Sequence, residues 1–283
     1  MIWTLAQDYP VSLLCDVLGV ARSTVYYQPQ INPADSDLLA VIEQMLMRWP
    51  FYGYRRVTAQ LKRMGHRVGE TRVRRLLRQL NHTASTGRVR VTTTDSRHHE
   101  PRFPNRIKDL PISQPNQVWV ADITYVRLGR RFIYLAVILD ACTRGLRGWH
   151  LSPSLESQDL TQQALKMALA RHPAPDIHHS DQGKQYAAAA YRRLLPSSTH
   201  ISMSAVGQPT QNGIAERFMR TLKEEHVDYS DYHDFEDAVQ QVAHWLEVEY
   251  MTERIHSALA YLTPAEADAA LRDTRLESPL PMA

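Results

Sequence analysis

The sequence predicts an α/β fold: a mixed sheet in the order β-β-β-α-β-α-β-α, with basic helical units before it and a helical extension after it. Three observations carry this. Residues 117–151 read as three consecutive strands joined by short turns. From residue 157, helical patterns alternate with short strands. On both sides of that block the apolar residues recur only at helical spacing. The boundaries follow: 1–33, a short helix-turn-helix-like segment; 34–82, a basic three-helix DNA-binding domain; 83–115, a basic linker; 116–226, the α/β core; 227–283, a C-terminal helical extension.

In the first segment Val11, Leu13, Leu14, Val17 and Leu18 share helical spacing, and Gly19 is a natural stop. Ala21 to Tyr27 offers a second, short helix. A helix-turn-helix touching DNA and a plain packing unit both fit this pattern. Three helices follow, at 36–49 (Leu39, Ile42, Leu46, Trp49), 54–64 (Tyr54, Val57, Leu61, Met64) and 70–80 (Val73, Leu76, Leu77, Leu80). Each has one apolar stripe and therefore one buried face. Between Arg48 and Arg78 there are ten Lys/Arg and a single acid, Glu70. A solvated face normally mixes signs, so Arg55, Arg56, Arg72, Arg74, Arg75 and Arg78 are candidate contacts to nucleic-acid phosphates. Residues 1–115 hold 17 Lys/Arg against 9 Asp/Glu, and the remainder 16 against 21. A basic front half and an acidic back half point to a polyanion-binding part joined to a part that uses carboxylates, with an ordinary solvated surface as the plain alternative. Residues 81–115 have no periodicity and look like exposed linker; His98-His99 has no further metal ligands near it.

The core opens with the strand Gln117 to Val126, β-branched and aromatic apart from Asp122 in its middle. Phe132–Asp140 and Gly145–Leu151 complete an antiparallel meander. Ser157–Arg171 reads as a helix ended by Pro173 and Pro175, then Asp176–Asp181 as a strand, Gln185–Leu195 as a helix and His200–Ser204 as a strand. After the loop Gly207–Gly213 a last core helix carries Ile214, Phe218 and Leu222 on one side, and Glu216, Arg220 and Lys223 on another. The latter face could bind a metal at one end and a phosphate backbone along its length; a Glu216–Arg220 salt bridge explains the first two equally well. Residues 234–260 read as further helix, with Val239, Val242, Trp245, Leu246 and Tyr250 inward. Thr263-Pro264-Ala265-Glu266 is a capping-box helix start, and the tail from Glu277 looks frayed.

An apolar run long enough to cross a membrane is absent from the sequence. The start Met1-Ile2-Trp3-Thr4-Leu5 lacks signal-peptide features, and Cys15 and Cys142 form no metal spacing, so a reducing cytosolic setting is expected.

Asp122, Asp181 and Glu216 are the acids that stand out. With the segments around them, Trp119–Tyr125, His179–Tyr186 and Asn212–Lys223, they resemble the DDE transposase and retroviral integrase superfamily, and in particular the OrfB transposase of two-frame bacterial insertion sequences. Arg254–Leu259, Tyr261–Pro264 and the Tyr52-Gly53-Tyr54-Arg55-Arg56 segment extend the likeness over nearly the whole chain. The Asp181–Glu216 interval holds 34 residues, one fewer than is usual in the family, with the gap near Pro196–Thr199. Tyr250-Met251 replaces a common Tyr-Asn, and the integrase zinc domain has no counterpart.

The resemblance implies a ribonuclease H-like core and two-metal phosphodiester chemistry. Asp122 would bridge two Mg²⁺ ions, with Mn²⁺ able to substitute, and Asp181 and Glu216 would each complete one site. Three clustered carboxylates without a cation repel by ~3 kcal/mol per pair at about 5 Å and an effective dielectric of ~20, which argues against a scaffold role. Asn212, Arg220 and Lys223 would hold the DNA end; His179 is expected to support rather than to ligate. Water would cleave the element end, and the 3′-hydroxyl would then attack a second phosphodiester. The expected partners are double-stranded DNA (terminal repeats and target), further copies of the chain, and an upstream-frame protein or fusion, at the nucleoid of a bacterial cytoplasm. A nuclease of the same fold, or a catalytically silent DNA-binding derivative, are the alternatives.

Overall fold

The computed structural model describes residues 2–26, 33–82, 101–205 and 208–277. Three short helices come first, α1 (Ile2–Leu5), α2 (Val11–Leu18) and α3 (Arg22–Val25). Gly19 ends α2 at φ 63° and ψ 30°, the left-handed stop its position predicts. The segment α3 is a single turn, too short for a recognition helix. Helices α4 (Pro33–Arg48), α5 (Tyr54–Arg63) and α6 (Glu70–Gln79) close on Ile42, Val57, Leu61, Val73 and Leu76, each at 0% exposure. These are the stripes read from the sequence.

The central sheet has the order β3-β2-β1-β4-β5, from β1 (Val118–Leu128), β2 (Arg131–Asp140), β3 (Leu146–Ser152), β4 (Ile177–Ser180) and β5 (His200–Met203). The first three strands form an antiparallel meander; β4 and β5 join parallel to β1. Helix α7 (Thr161–Arg171), the short α8 (Lys184–Ala187) and α9 (Ala189–Arg192), and the long α10 (Gly213–Glu225) supply the flanking layers. Both faces of β1 are covered: Val118, Val120 and Val126 pack with Phe218 and Leu222, whereas Trp119, Ala121 and Ile123 pack with Leu160, Leu165 and Tyr191. A strand buried on both faces reads as a near-continuous apolar run, and Asp122 is the exception that makes the run informative.

Some elements differ from their sequence reading. The helix expected from Ser157 begins at Thr161, because the Ser157 hydroxyl instead donates to the Gln185 carbonyl at 2.8 Å. The helix expected over 185–195 breaks at Ala188, whose ψ is 132°. Residues five apart on one helix lie about 140° apart; the break lets Tyr186 and Tyr191 both turn inward, edge-to-face at 5.4 Å. The helix expected to reach 260 is α11 (Phe235–His244) continued by π-helical turns over Trp245–Glu253, and it ends at Arg254. The wider turns seat Trp245, Leu246 and Tyr250 against the core, and Tyr250 donates to the Arg144 carbonyl at 2.9 Å. Residues 101–115 are not free linker: Ile107, Leu110 and Ile112 pack on the core, and the Arg106 amide donates to the Ser202 hydroxyl at 2.8 Å. Residues 83–100, with the His98-His99 pair, and the tail from 278 lie outside the described residues. The one-residue shortening leaves β5 in place, since all four of its residues pair with β4.

Helix α12 (Pro264–Glu277) starts with the predicted capping box: the Thr263 amide donates to Glu266 at 2.8 Å, and the Glu266 amide to the Thr263 hydroxyl at 3.2 Å. Its Asp268 pairs with the buried Arg147 of β3 at 2.6 Å, which also lies 3.1 Å from Asp140. Asp140 further accepts from the amides of Asn116, Cys142 and Thr143. This fourth carboxylate of the core is thus consumed by structure.

The helices α4–α6 dock on the C-terminal extension. Ile255 is part of their apolar core, and its amide donates to the Tyr52 hydroxyl at 3.2 Å. Around that contact run the pairs Arg48–Glu253 (2.7 Å), Arg63–Glu266 (2.6 Å), Arg56–Glu225 (3.3 Å) and Arg254–Glu225 (2.6 Å). Glu225, at the end of α10, therefore joins the helical domain to the core.

Two consequences can be measured. Glu225→Ala leaves Arg254 buried without its anion, and should lower unfolding stability in urea by about 3–5 kcal/mol. Gly148→Ala would drive a methyl into the Ala164 carbonyl and to 2.8 Å from the Ala168 nitrogen of α7. It should lower the urea midpoint by the equivalent of about 1–3 kcal/mol with an unchanged slope.

Candidate active site

The parallel pairing of β1 with β4 sets the site. The register is Val118 to Ile177, Trp119 to His178 and Val120 to His179. Carried two residues further, it brings Asp122 level with Asp181, just past the end of β4. Two carboxylates from segments about sixty residues apart thus become strand neighbours. Asp181 is held by the Gly183 amide, which donates to it at 2.9 Å. Asp122 accepts the Ile123 amide at 2.9 Å. Glu216 comes from the first turns of α10, at an exposed position. The start of α10 is pinned to the same strand, because the Asn212 side chain donates to the Ala121 carbonyl at 3.1 Å.

Burial, then the charges of Asp181 and Glu216, push the Asp122 carboxyl up to about 8. The Ile123 amide and Lys223 oppose the shift. The three acids therefore share one electrostatic neighbourhood. Among the described residues, no three His, Cys, Asp or Glu side chains are grouped closely enough to enclose an ion. The acids are within field range rather than in ligating positions. The donor set is nonetheless all carboxylate oxygen, which suits a hard divalent cation. The excess negative charge at Asp122 is the feature a cation would relieve.

The other predicted residues separate into groups. Lys223 is half-buried with its ammonium 4.5 Å over the Tyr125 ring, and burial lowers its pKa against the pull of Asp228 and Asp122. Arg220 is exposed and lies 4.0 Å from Glu224; it is this pair, not Glu216–Arg220, that forms on α10. Asn212 is only 4% exposed, and its side chain tethers the loop to β1. His179 is buried between the Ser202 and Ser204 hydroxyls at 2.8 and 3.1 Å, and burial lowers its pKa to about 4, so it is a neutral sheet residue.

In the helical domain Arg72 and Arg75 grip Asp35 at 2.7 and 2.6 Å, and Arg74 pairs with Glu70 at 3.3 Å while lying over the Tyr54 ring. Arg56 belongs to the Glu225 cluster and is half-buried. Arg55 and Arg78 are exposed and enter no ion pair among the described residues. Arg72, Arg74, Arg75 and Arg78 with Thr71 line one shallow basic surface of α6.

Tyr186 was overlooked in the sequence reading. Its buried hydroxyl has no hydrogen-bond partner among the described residues, and burial, Tyr191, Asp122 and Asp181 together raise its pKa. The available signal was its place in the same short motif as Asp181.

Comparison with known proteins agrees with this geometry. An integrase core domain model matches residues 112–209, a second integrase core domain model matches 197–264, and an HTH-like domain model matches 33–90. The transposase InsF for insertion sequence IS3A of Escherichia coli K12 is 32% identical over 274 residues, covering 92% of this chain and 94% of that one. The chain belongs to the insertion-sequence transposases of the integrase superfamily. The transposase for IS629 of Shigella sonnei is 30% identical, covering 94% of each chain. A 31 kDa protein of insertion element IS600, also from Shigella sonnei, is 35% identical, covering 89% of this chain and 96% of that one. Membership makes the core ribonuclease H-like and the chain a DNA-binding transposase. The HTH-like match falls on α4–α6, not on α2–α3. Among the described residues of the transposase, no helix is long and apolar enough to cross a membrane.

The raised Asp122 has a pH signature. The folded transposase keeps a proton there that the unfolded chain releases above about pH 4. Metal-free stability therefore falls as pH rises from about 4 toward 8. Asp122→Asn removes that dependence. The metal-free variant should melt higher than the parent at pH 8, by roughly 2–4 °C per kcal/mol relieved, and the gap should close at pH 4. Equal melting temperatures at pH 8 would contradict the assigned coupling.

Proposed function

We propose that this transposase cleaves insertion-sequence ends and joins the freed 3′-hydroxyl to DNA, with Asp122, Asp181 and Glu216 as its metal-binding acids. The observation that carries the reading is the strand register that puts Asp122 and Asp181 side by side, with Glu216 raising the charge further from α10. Scaffolds seldom gather carboxylates at this cost. Magnesium, with manganese as substitute, would supply Lewis-acid activation of the attacking and leaving oxygens. Asp122 would ligate both ions, with Asp181 and Glu216 one each; Glu216 is exposed and free to turn toward the aspartates.

The chain's own groups do the positioning. Lys223, held on Tyr125, sets a positive charge beside the acids to orient a DNA phosphate. Arg220, exposed one turn of α10 after Glu216, continues that contact. Arg55 and Arg78 of α5 and α6 would bind phosphates of the terminal repeat, and phosphate would compete with Asp35 and Glu70 for Arg72, Arg74 and Arg75. The division of labour is then DNA binding in 34–82, chemistry in 116–226, and bracing by 227–283. Assembly of several copies on DNA, and cooperation with an upstream-frame partner at the bacterial nucleoid, belong to the same reading.

Asp122→Asn, Asp181→Asn and Glu216→Gln should each reduce Mg²⁺-dependent nicking and strand joining of a duplex from the gene's flanks at least about 10³-fold, while DNA retention in gel shift persists. Joining at the parental rate by any of these variants would refute the assignment. Nicking without joining by the parent would identify a nuclease, and neither activity a silent DNA-binding protein.

A further inference from the structure

The β1–β2 hairpin tip is a second basic surface, and its cations differ from six of the ten between Arg48 and Arg78. Arg48, Arg56, Arg63, Arg72, Arg74 and Arg75 all have carboxylate partners. Arg127, Arg130 and Arg131 are exposed, and none enters an ion pair among the described residues. Among the described residues, the one hydrogen bond these guanidiniums make runs from Arg127 to the Gly129 carbonyl across the turn, at 3.1 Å. Uncompensated charge crowded on a tight turn has no structural purpose, since like charges there repel.

The tip is also rigid and correctly placed. Leu128 pairs with Arg131, leaving a two-residue turn that opens on Gly129 at φ 57°. Glycine is favoured at that position of such hairpins. The tip stands at the C-terminal end of β1, and Asp181 follows the C-terminal end of the parallel β4, so both lie toward one end of the sheet. Two ring contacts lead from the tip toward the acids. Phe132, 55% exposed, meets Tyr125 edge-on at 5.2 Å, and Tyr125 carries Lys223 at 4.5 Å. From Asp122 to the tip is six to eight residues of strand, roughly 20–26 Å. One turn of B-DNA is roughly 34 Å long. A duplex with one phosphodiester at the carboxylates can therefore extend its backbone to the tip.

We propose that Arg127, Arg130 and Arg131 form a DNA-backbone site that holds duplex DNA across the acids, separate from the basic face of α6. The proposal rests on the transposase reading above. Its ligand chemistry is the phosphodiester backbone of duplex DNA, from the element end or from the target.

The test is the salt dependence of binding by full-length Arg130→Gln/Arg131→Gln, against a control of equal charge, Lys166→Gln/Arg193→Gln, on exposed positions of α7 and just after α9. Two probes are used: a duplex from the gene's flanks, and a random-sequence duplex added to the flank complex. The hairpin variant should keep the parental melting temperature. Its log K against log salt slope should shrink by about 1.8, the value for two lost phosphate contacts. Loss on the flank duplex assigns the tip to the element end; loss only on adding the random duplex assigns it to target DNA. An unchanged slope with both probes, or an equal loss in the control, overturns the proposal. The slope needs no catalysis, so a failure of metal-dependent joining would count against the reading of the acids and leave this result to stand or fall by itself.

Discussion

The pairing of β1 with β4 is the constraint on which the rest depends. Parallel strands lie about 4.8 Å apart, and the register that aligns Val120 with His179 leaves Asp181, just past β4, near enough for its charge to act on Asp122. The surrounding layers make this arrangement costly. Apolar contacts cover both faces of β1 and limit the water that reaches Asp122. The outcome is a carboxyl that holds its proton to about pH 8 without a cation. Shifts of this size are common where charge is stored for chemistry.

Helix α10 connects this strained centre to the rest of the molecule. At its start the Asn212 side chain fastens it to the Ala121 carbonyl, one residue before Asp122. At its end Glu225 accepts from Arg254 of the C-terminal extension and from Arg56 of the helical domain. Glu216 and Lys223 ride between those anchors. A rigid strut fixed at both ends couples the position of the third acid to the docking of α4–α6.

The same interface explains the charge asymmetry of the chain. The basic run from Arg48 to Arg78 has one acid of its own, but acids from distant segments are brought to it: Glu225, Glu253 and Glu266. Asp35 supplies another from α4. Part of what a local count assigns to DNA is thus internal neutralisation. Exposed cations without such partners, among them Arg55, Lys62, Arg67, Arg78 and the hairpin tip, keep their charge toward solvent.

Local chemistry was legible in the sequence. β-Branched and aromatic bias marked the meander, the 3.6 period marked α4–α6, Gly19 marked a helix stop, and Thr263 to Glu266 marked a helix start, because each depends on neighbours within a few residues. The three acids were legible as well, through the segments around them. Partnership was decided only by the tertiary structure. It placed Asn212 under cover, gave Arg56 and Arg72 to carboxylates, broke the helix at Ala188 so that two tyrosines could face inward, widened the turns after His244, and packed residues 101–115 on the sheet. Periodicity and capping are satisfied within a segment; charge compensation and strand register are satisfied between segments far apart in the chain, and no local pattern records which ones will meet.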